Sequence, residues 1–169
     1  MTERAYVGLG SNLDDPPEQL KRATEALANL PRTRLTARSP CYRSAPMGPK
    51  DQPDYLNGVV ALDTELEPLA LLAALQSIER KHQRIRERHW GPRTLDLDLL
   101  LYGKQVIDLP ELRVPHPGIY QRNFVLLPLA DITPALIFPD GSSLAQHLEN
   151  CPSEGIVRLS SGDSRGTTG

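Results

Sequence analysis

The sequence predicts a mixed α/β fold with the split β-α-β-β-α-β order, an antiparallel-rich sheet carrying both helices on one face. Three observations carry this expectation. Short apolar runs at 5–9, 34–43, 56–63 and 94–102 read as strands. Apolar residues recur at helical spacing after Pro16 and after Pro68. The length, 169 residues, suits one domain with a sizeable core and is too short for two catalytic domains.

The elements follow in order. Ala5–Leu9 is the first strand, and Gly10-Ser11-Asn12 breaks it. Asp14 or Asp15 caps the next helix, with Pro16 or Pro17 in its first turn, where a missing N–H costs nothing. Leu20, Ala23, Leu27 and Leu30 form its apolar face, and Pro31 ends it. Residues 34–43 form a second strand, interrupted by Pro40 and therefore near an edge. Residues 44–54 hold three prolines and a glycine and make a long loop of the kind that often carries function.

Leu56–Asp63 is a third strand. Pro68 starts a second helix, buried through Leu69, Leu72, Leu75 and Ile78, with Arg80 and Lys81 at the favourable end of its dipole. Thr94–Tyr102 is a fourth strand, and Gly103-Lys104 turns the chain into a short run near Val106. Ile119–Leu129 and Leu144–Glu149 read as C-terminal helical additions, with a turn at Asp140-Gly141. One domain over 1–151 and a loosely held Ser/Gly/Thr-rich tail over 152–169 are expected.

Composition excludes several classes. Nineteen Lys+Arg against 21 Asp+Glu leave a formal charge of −2, without the basic excess of a nucleic-acid coat. No apolar run has the length of a membrane span, and the N-terminus has no signal-peptide pattern. Cys41 and Cys151 read as free thiols in a reducing, cytoplasmic setting, a disulfide between them being the disfavoured alternative.

The fourth strand is the most informative. Leu95, Leu97 and Leu99 point towards the helices, and Asp96 and Asp98 share the opposite face, their Cα atoms about 6.5–7 Å apart. Such a pair has three outcomes: a shared proton, neutralisation by arginines from elsewhere, or divalent cations. Two ordinary solvated acids are the plain alternative. Residues 80–93 contain six Lys/Arg and one acid, with Trp90 among them, and lead straight into this strand. Cations and acids thus converge at one strand end, the polarity that a polyphosphate with its metal requires. Gly103-Lys104-Gln105 lacks the Ser/Thr of a Walker loop, and Gly8-Leu9-Gly10 lacks the third glycine of a dinucleotide fingerprint and reads as a tight turn.

Arg93-Thr-Leu-Asp96-Leu-Asp98, preceded by Trp90-Gly-Pro, resembles the signature of the 6-hydroxymethyl-7,8-dihydropterin pyrophosphokinases of folate biosynthesis. Three further segments resemble the same family in order: Gly8-Leu-Gly-Ser-Asn12, Tyr42 to Asn57 with Gln52-Pro-Asp-Tyr55-Leu-Asn57, and Val114-Pro-His116 with Arg122-Asn-Phe124. The resemblance implies a ferredoxin-like sheet and transfer of pyrophosphate from ATP to the pterin hydroxymethyl group, with release of AMP. It implies that Asp96 and Asp98 hold two Mg²⁺ and act catalytically with Arg84 and Arg93. Tyr55 and Phe124 would stack on the pterin, while Asn57, Ser44, Ala45 and Met47 meet its edge. Gln76, Glu79, Arg84, Arg86, Trp90, Arg93, His116 and Arg122 would line the ATP side. The partners implied are these two small molecules, bound by a monomer, with no nucleic acid and no membrane.

Ser44-Ala45 stand where the family often has Thr-Pro, and Pro117 follows His116 where another type is common. The rival enzyme class is a two-metal phosphohydrolase or nuclease, disfavoured by Leu99-Leu100 after the acid pair. The rival binding class is an RNA module on the same fold, which two acids on the open sheet face would repel.

Overall fold

The structure is a computed structural model that describes residues 2–11, 15–44, 55–85, 95–151 and 156–159, excepting the side chains of 83–85. The elements are β1 (Glu3–Ser11), α1 (Pro16–Ala28), β2 (Thr33–Arg38), β3 (Tyr42–Ser44), β4 (Tyr55–Thr64), α2 (Pro68–Ile85) and β5 (Asp96–Tyr102). A two-stranded ribbon of β6 (Ile107–Asp108) and β7 (Arg113–Val114), then α3 (Asn123–Ile132), α4 (Leu144–Glu149) and β8 (Ile156–Arg158), complete the described chain. The main sheet runs β5-β1-β4-β3-β8, with β2 on another stretch of β4. Every pairing is antiparallel.

Alternation decides which residues meet which layer. Val7, Leu9, Leu62, Leu97 and Leu99 face α1 and α2, which contribute Leu20, Ala23, Leu27, Leu71, Leu75 and Ile78 to one core. The opposite face was expected to be bare, and half of it is not. Tyr6, Val59, Ala61, Leu100 and Leu101 pack there against Leu126 and Leu129 of α3, Phe138 and Leu144. A register shift puts both Leu100 and Leu101 on this side: Tyr6 faces Leu101 while Val7 faces Leu99. One extra residue in β5 thereby extends the second core. The other end of this face, at Asp96, Asp98 and Asn57, lies beyond α3 and α4 in the register.

Several sequence expectations are corrected. The segment 34–43 splits at Ser39-Pro40-Cys41 into β2 and β3, because proline lacks the N–H that a continuous ladder needs. On α2, Leu75 and Ile78 are buried as expected, but Leu71 joins them in place of Leu69, which is 43% exposed. A run of leucines satisfies two helical phases, and the sheet selects one. Asp15 is the N-cap of α1 but makes no side-chain cap bond. Its backbone is left-handed (φ 63°), not the extended geometry that aims a cap oxygen at the first turn. Val106 is exposed and precedes the short strand β6. The first of the late helices starts at Asn123, four residues after the expected Ile119. Within the expected tail, Ile156–Arg158 forms β8 on β3. Among the described residues no helix is long and apolar enough to cross a membrane, and Cys41 and Cys151 are both free thiols.

Candidate active site

Asp96 and Asp98 sit half-exposed on β5, alternating with buried Leu97 and Leu99, as the alternation predicts. Across β1, Gly10 faces Asp96 and Gly8 faces Asp98, and Gly10 also faces Asn57 of β4. Gly8-Leu9-Gly10 is therefore not the tight turn that its glycines suggest, but the interior of β1. The glycines serve close approach: a Cβ at Gly10 would stand 3.0 Å from Asn57 Oδ1. A side chain there would displace the amide and fill the space between the acid pair and β4.

On β4, Tyr55 and Asn57 share a face, and in register Ser44 lies opposite Tyr55. Asn57 is buried and its Nδ2 donates to Ser44 Oγ at 2.9 Å. That bond fixes the amide orientation and so what the site offers to a ligand edge. Burial, then the Asp96 carboxylate, push the Tyr55 phenol above its ordinary pKa. The phenol is thus a neutral donor near the acid pair.

The opposite wall follows Val114. The His116 N–H donates to Leu100 O at 3.0 Å, fastening this loop to β5. His116 Nδ1 accepts from the Gly118 N–H at 3.1 Å. The proton of the neutral ring therefore sits on Nε2, 3.9 Å from Asp98 Oδ1 and too far for a direct hydrogen bond. Burial pushes the imidazole pKa down, Asp98 opposes this, and Arg122 adds to the lowering. Arg122 is the N-cap of α3, and its guanidinium lies 5.7 Å from the Phe124 ring centroid. A Cβ on Gly118 would stand 2.7 Å from Arg122 Nε, so this glycine makes room for the arginine. Gly118 was missed in the sequence, where Pro-His-Pro-Gly carries only a turn signal.

Glu79 of α2 takes a place that no motif foretells. Its Oε2 accepts the Leu97 N–H at 2.7 Å, on the peptide between the two aspartates. β5 is a sheet edge, and this carboxylate satisfies one of its outward N–H groups. Gln76 lies exposed one turn earlier on α2. The structure thus brings Asp96, Asp98, Tyr55, Asn57, Ser44 and His116 to one end of one face, with Arg122 and Phe124 at its rim. Ala45, Met47, Arg86, Trp90 and Arg93, and the side chain of Arg84, lie outside the described residues.

A separate cavity of about 720 Å³ lies between α1 and the β2–β3 junction, lined by Leu9, Leu20, Cys41, Gly58 and Val60. It is on the helix side of β4, behind the acid-pair face. The geometry of the polar residues, not the cavity, defines the candidate site.

The donor set also bears on a metal. Among the described residues no group of three or more His, Cys, Asp or Glu side chains could enclose an ion. Two carboxylates on an accessible face do fit Mg²⁺, which takes one or two protein carboxylates and completes its shell with water and phosphate oxygens. They fit zinc or a protein-caged calcium poorly.

Comparison with known proteins identifies the family. Residues 6–134 match the family model of 7,8-dihydro-6-hydroxymethylpterin-pyrophosphokinase. A 2-amino-4-hydroxy-6-hydroxymethyldihydropteridine pyrophosphokinase of Pseudomonas aeruginosa is 57% identical over 159 residues, covering 94% of this chain and 98% of its own. The enzyme of the same name from Haemophilus influenzae is 44% identical over 155 residues, covering 92% and 97%. Among solved structures, wild-type Plasmodium falciparum HPPK-DHPS with pteroate superposes with a TM-score of 0.70 at 13% identity, over 89% of this chain and 42% of that one. The wild-type protein in another crystal gives 0.68 at 14% identity, over 89% and 41%. This chain spans less than half of those two, and the likeness to them shows the fold alone. The chain belongs to the 7,8-dihydro-6-hydroxymethylpterin-pyrophosphokinase family, and is thereby a pyrophosphokinase, a transferase of folate biosynthesis.

Proposed function

We propose that the protein transfers the β,γ-pyrophosphoryl group of ATP to the hydroxymethyl oxygen of 6-hydroxymethyl-7,8-dihydropterin and releases AMP. The observation that carries this reading is the row across three strands: Asp96, the bare Gly10, and Asn57 bonded to Ser44. It sets a cation-attracting edge beside a floor flat enough for a fused ring, with an oriented amide at the far side.

In this reading Tyr55 and Phe124 sandwich the pterin, and aromatic stacking suits a planar heterocycle. Asn57 and Ser44, with Ala45 and Met47 of the following loop, bond its edge and set the hydroxymethyl group towards β5. Asp96 and Asp98 would hold two Mg²⁺. Bound there, Mg²⁺ supplies neutralisation of phosphate charge and polarisation of the attacking hydroxyl. Arg84, Arg86, Arg93 and Arg122 balance the remaining charge, Gln76, Glu79 and Trp90 line the nucleotide side, and His116 offers its Nε2–H to a phosphate oxygen. Arg84 and Arg93 act closest to the β-phosphorus. The rate gain is then one of positioning and electrostatics in an in-line displacement.

The strand order β5-β1-β4 with β2 and β3 beyond, and α1 and α2 together on one face, supports a ferredoxin-like topology. One catalytic domain over 1–151, monomeric, fits this reading. The free thiols Cys41 and Cys151 support a cytoplasmic setting. The test is incubation with ATP, Mg²⁺ and the reduced hydroxymethylpterin, followed by nucleotide separation. Pterin-dependent AMP is expected. ADP, or AMP formed equally without pterin, would refute the reading.

A further inference from the structure

The C-terminal strand β8 is wired into the pterin side of the site. β3 has three residues and lies between β4 and β8. Tyr42 faces Asn57 on one side and Arg158 on the other, and Ser44 faces Tyr55 and Ile156. The Leu159 N–H extends the ladder to Cys41 O at 2.9 Å. Side chains tie the same strands to α3: the buried Tyr42 hydroxyl donates to Asp131 Oδ2 at 2.5 Å, and Arg158 Nη1 donates to Asp131 Oδ1 at 3.3 Å. Asp131 lies two turns along the helix that begins beside Phe124.

We propose that β8, through the Tyr42–Asp131–Arg158 cluster, is a positioning device that fixes the spacing of the two pterin-facing walls. This rests on the pterin reading above. One wall is β3 and β4, with Ser44, Tyr55 and Asn57. The other is the start of α3, with Phe124. Asp131 is bonded to β3 through Tyr42 and to β8 through Arg158, so the helix carrying one ring is braced to the strands carrying the other. Without β8, β3 would be a three-residue edge strand, paired on one side only and marginal by itself. Ser44 is the last residue of that strand. Loss of the brace therefore reaches the Ser44–Asn57 bond and the ring spacing together. Among the described residues the ATP side rests mainly on β5, α2 and the His116 loop, outside this cluster; Arg122, at the α3 N-cap, stands at the opposite end of the helix from Asp131.

The test uses the full chain and its variants Tyr42→Phe, Arg158→Ala and Arg158→Lys. Binding of the hydroxymethylpterin is titrated by calorimetry with Mg²⁺ and saturating α,β-methylene-ATP, and the analogue is titrated separately. Tyr42→Phe and Arg158→Ala should each weaken pterin binding roughly three- to tenfold, because only part of the free energy of the lost hydrogen bond is felt at the pterin walls. The ATP analogue should bind within about twofold of wild type in both, and Arg158→Lys should recover most of the loss. Unchanged pterin binding, or equal weakening of both ligands, overturns the brace. Failure of the wild-type protein to bind pterin at all overturns the functional reading, and the brace with it.

Discussion

Two carboxylates on one strand face repel each other, and the fold tolerates the pair by leaving both half-exposed. If Asp96 and Asp98 serve metal binding, replacing either by Asn should lower turnover roughly a hundredfold or more. Stability should hold or rise slightly, because a like-charge repulsion is removed. Turnover within a few-fold of wild type in both variants would remove the metal role. The ring pair makes a different prediction. Tyr55→Ala and Phe124→Ala should weaken pterin binding while leaving the affinity for an ATP analogue unchanged, as separate titrations would show. The acid pair was legible in the sequence because strand alternation is local: Asp96 and Asp98 needed only period two. The glycine row was not, because Gly8 and Gly10 show their purpose only when β4 and β5 lie alongside.

At the scale of elements, β5 is paired with β1 and tied from its other side to α2. Glu79 holds the Leu97 N–H from the helix side while Asp96 and Asp98 point the other way. Groups that orient metal ligands from behind typically change metal affinity by about ten- to a hundredfold when removed. Glu79→Ala should therefore raise the Mg²⁺ or Mn²⁺ concentration needed for binding about tenfold, and speed amide exchange at Leu97. Glu79→Gln, which retains an acceptor oxygen, should stay near wild type. Equal behaviour of the two variants would assign Glu79 a charge role alone. Motif resemblance placed Glu79 on the nucleotide side, and nothing in the sequence announces a bond across 18 positions. The strand and helix inventory was legible because each element has its own periodicity. The interruption at Pro40 was legible too, but details set by packing were not: the choice of Leu71 over Leu69 and the pairing of β8.

For the whole molecule, the sheet is sandwiched on one face by α1 and α2 and on half of the other by α3 and α4. The half that α3 and α4 leave uncovered carries the candidate site. The two sandwiching helices meet at a buried polar contact, where His82 Nδ1 donates to Gln19 Oε1. His82 is only 6% exposed, and burial, then Arg22, push its pKa below the ordinary imidazole range. The unfolded chain then binds a proton more readily than the folded one. His82 is neutral in the fold above the unfolded imidazole pKa, and stability falls as pH drops below that value towards the folded pKa. Thermal unfolding should show this decline as pH falls below about 6.5. His82→Gln should lessen it, leaving any share due to His116, and an identical slope in that variant would place the acid sensitivity elsewhere. Net charge, near zero for the chain, was the least informative figure, since it averages the basic segment 80–93 with the acidic strand that follows.

Displacement at the β-phosphorus of ATP, proposed for the acid-pair face of the sheet, leaves a signature in phosphorus NMR of a completed reaction with Mg²⁺ and the reduced pterin. A pterin product bearing two coupled phosphorus nuclei, formed in equal amount with AMP, is expected. A singly phosphorylated pterin accompanied by ADP would contradict it.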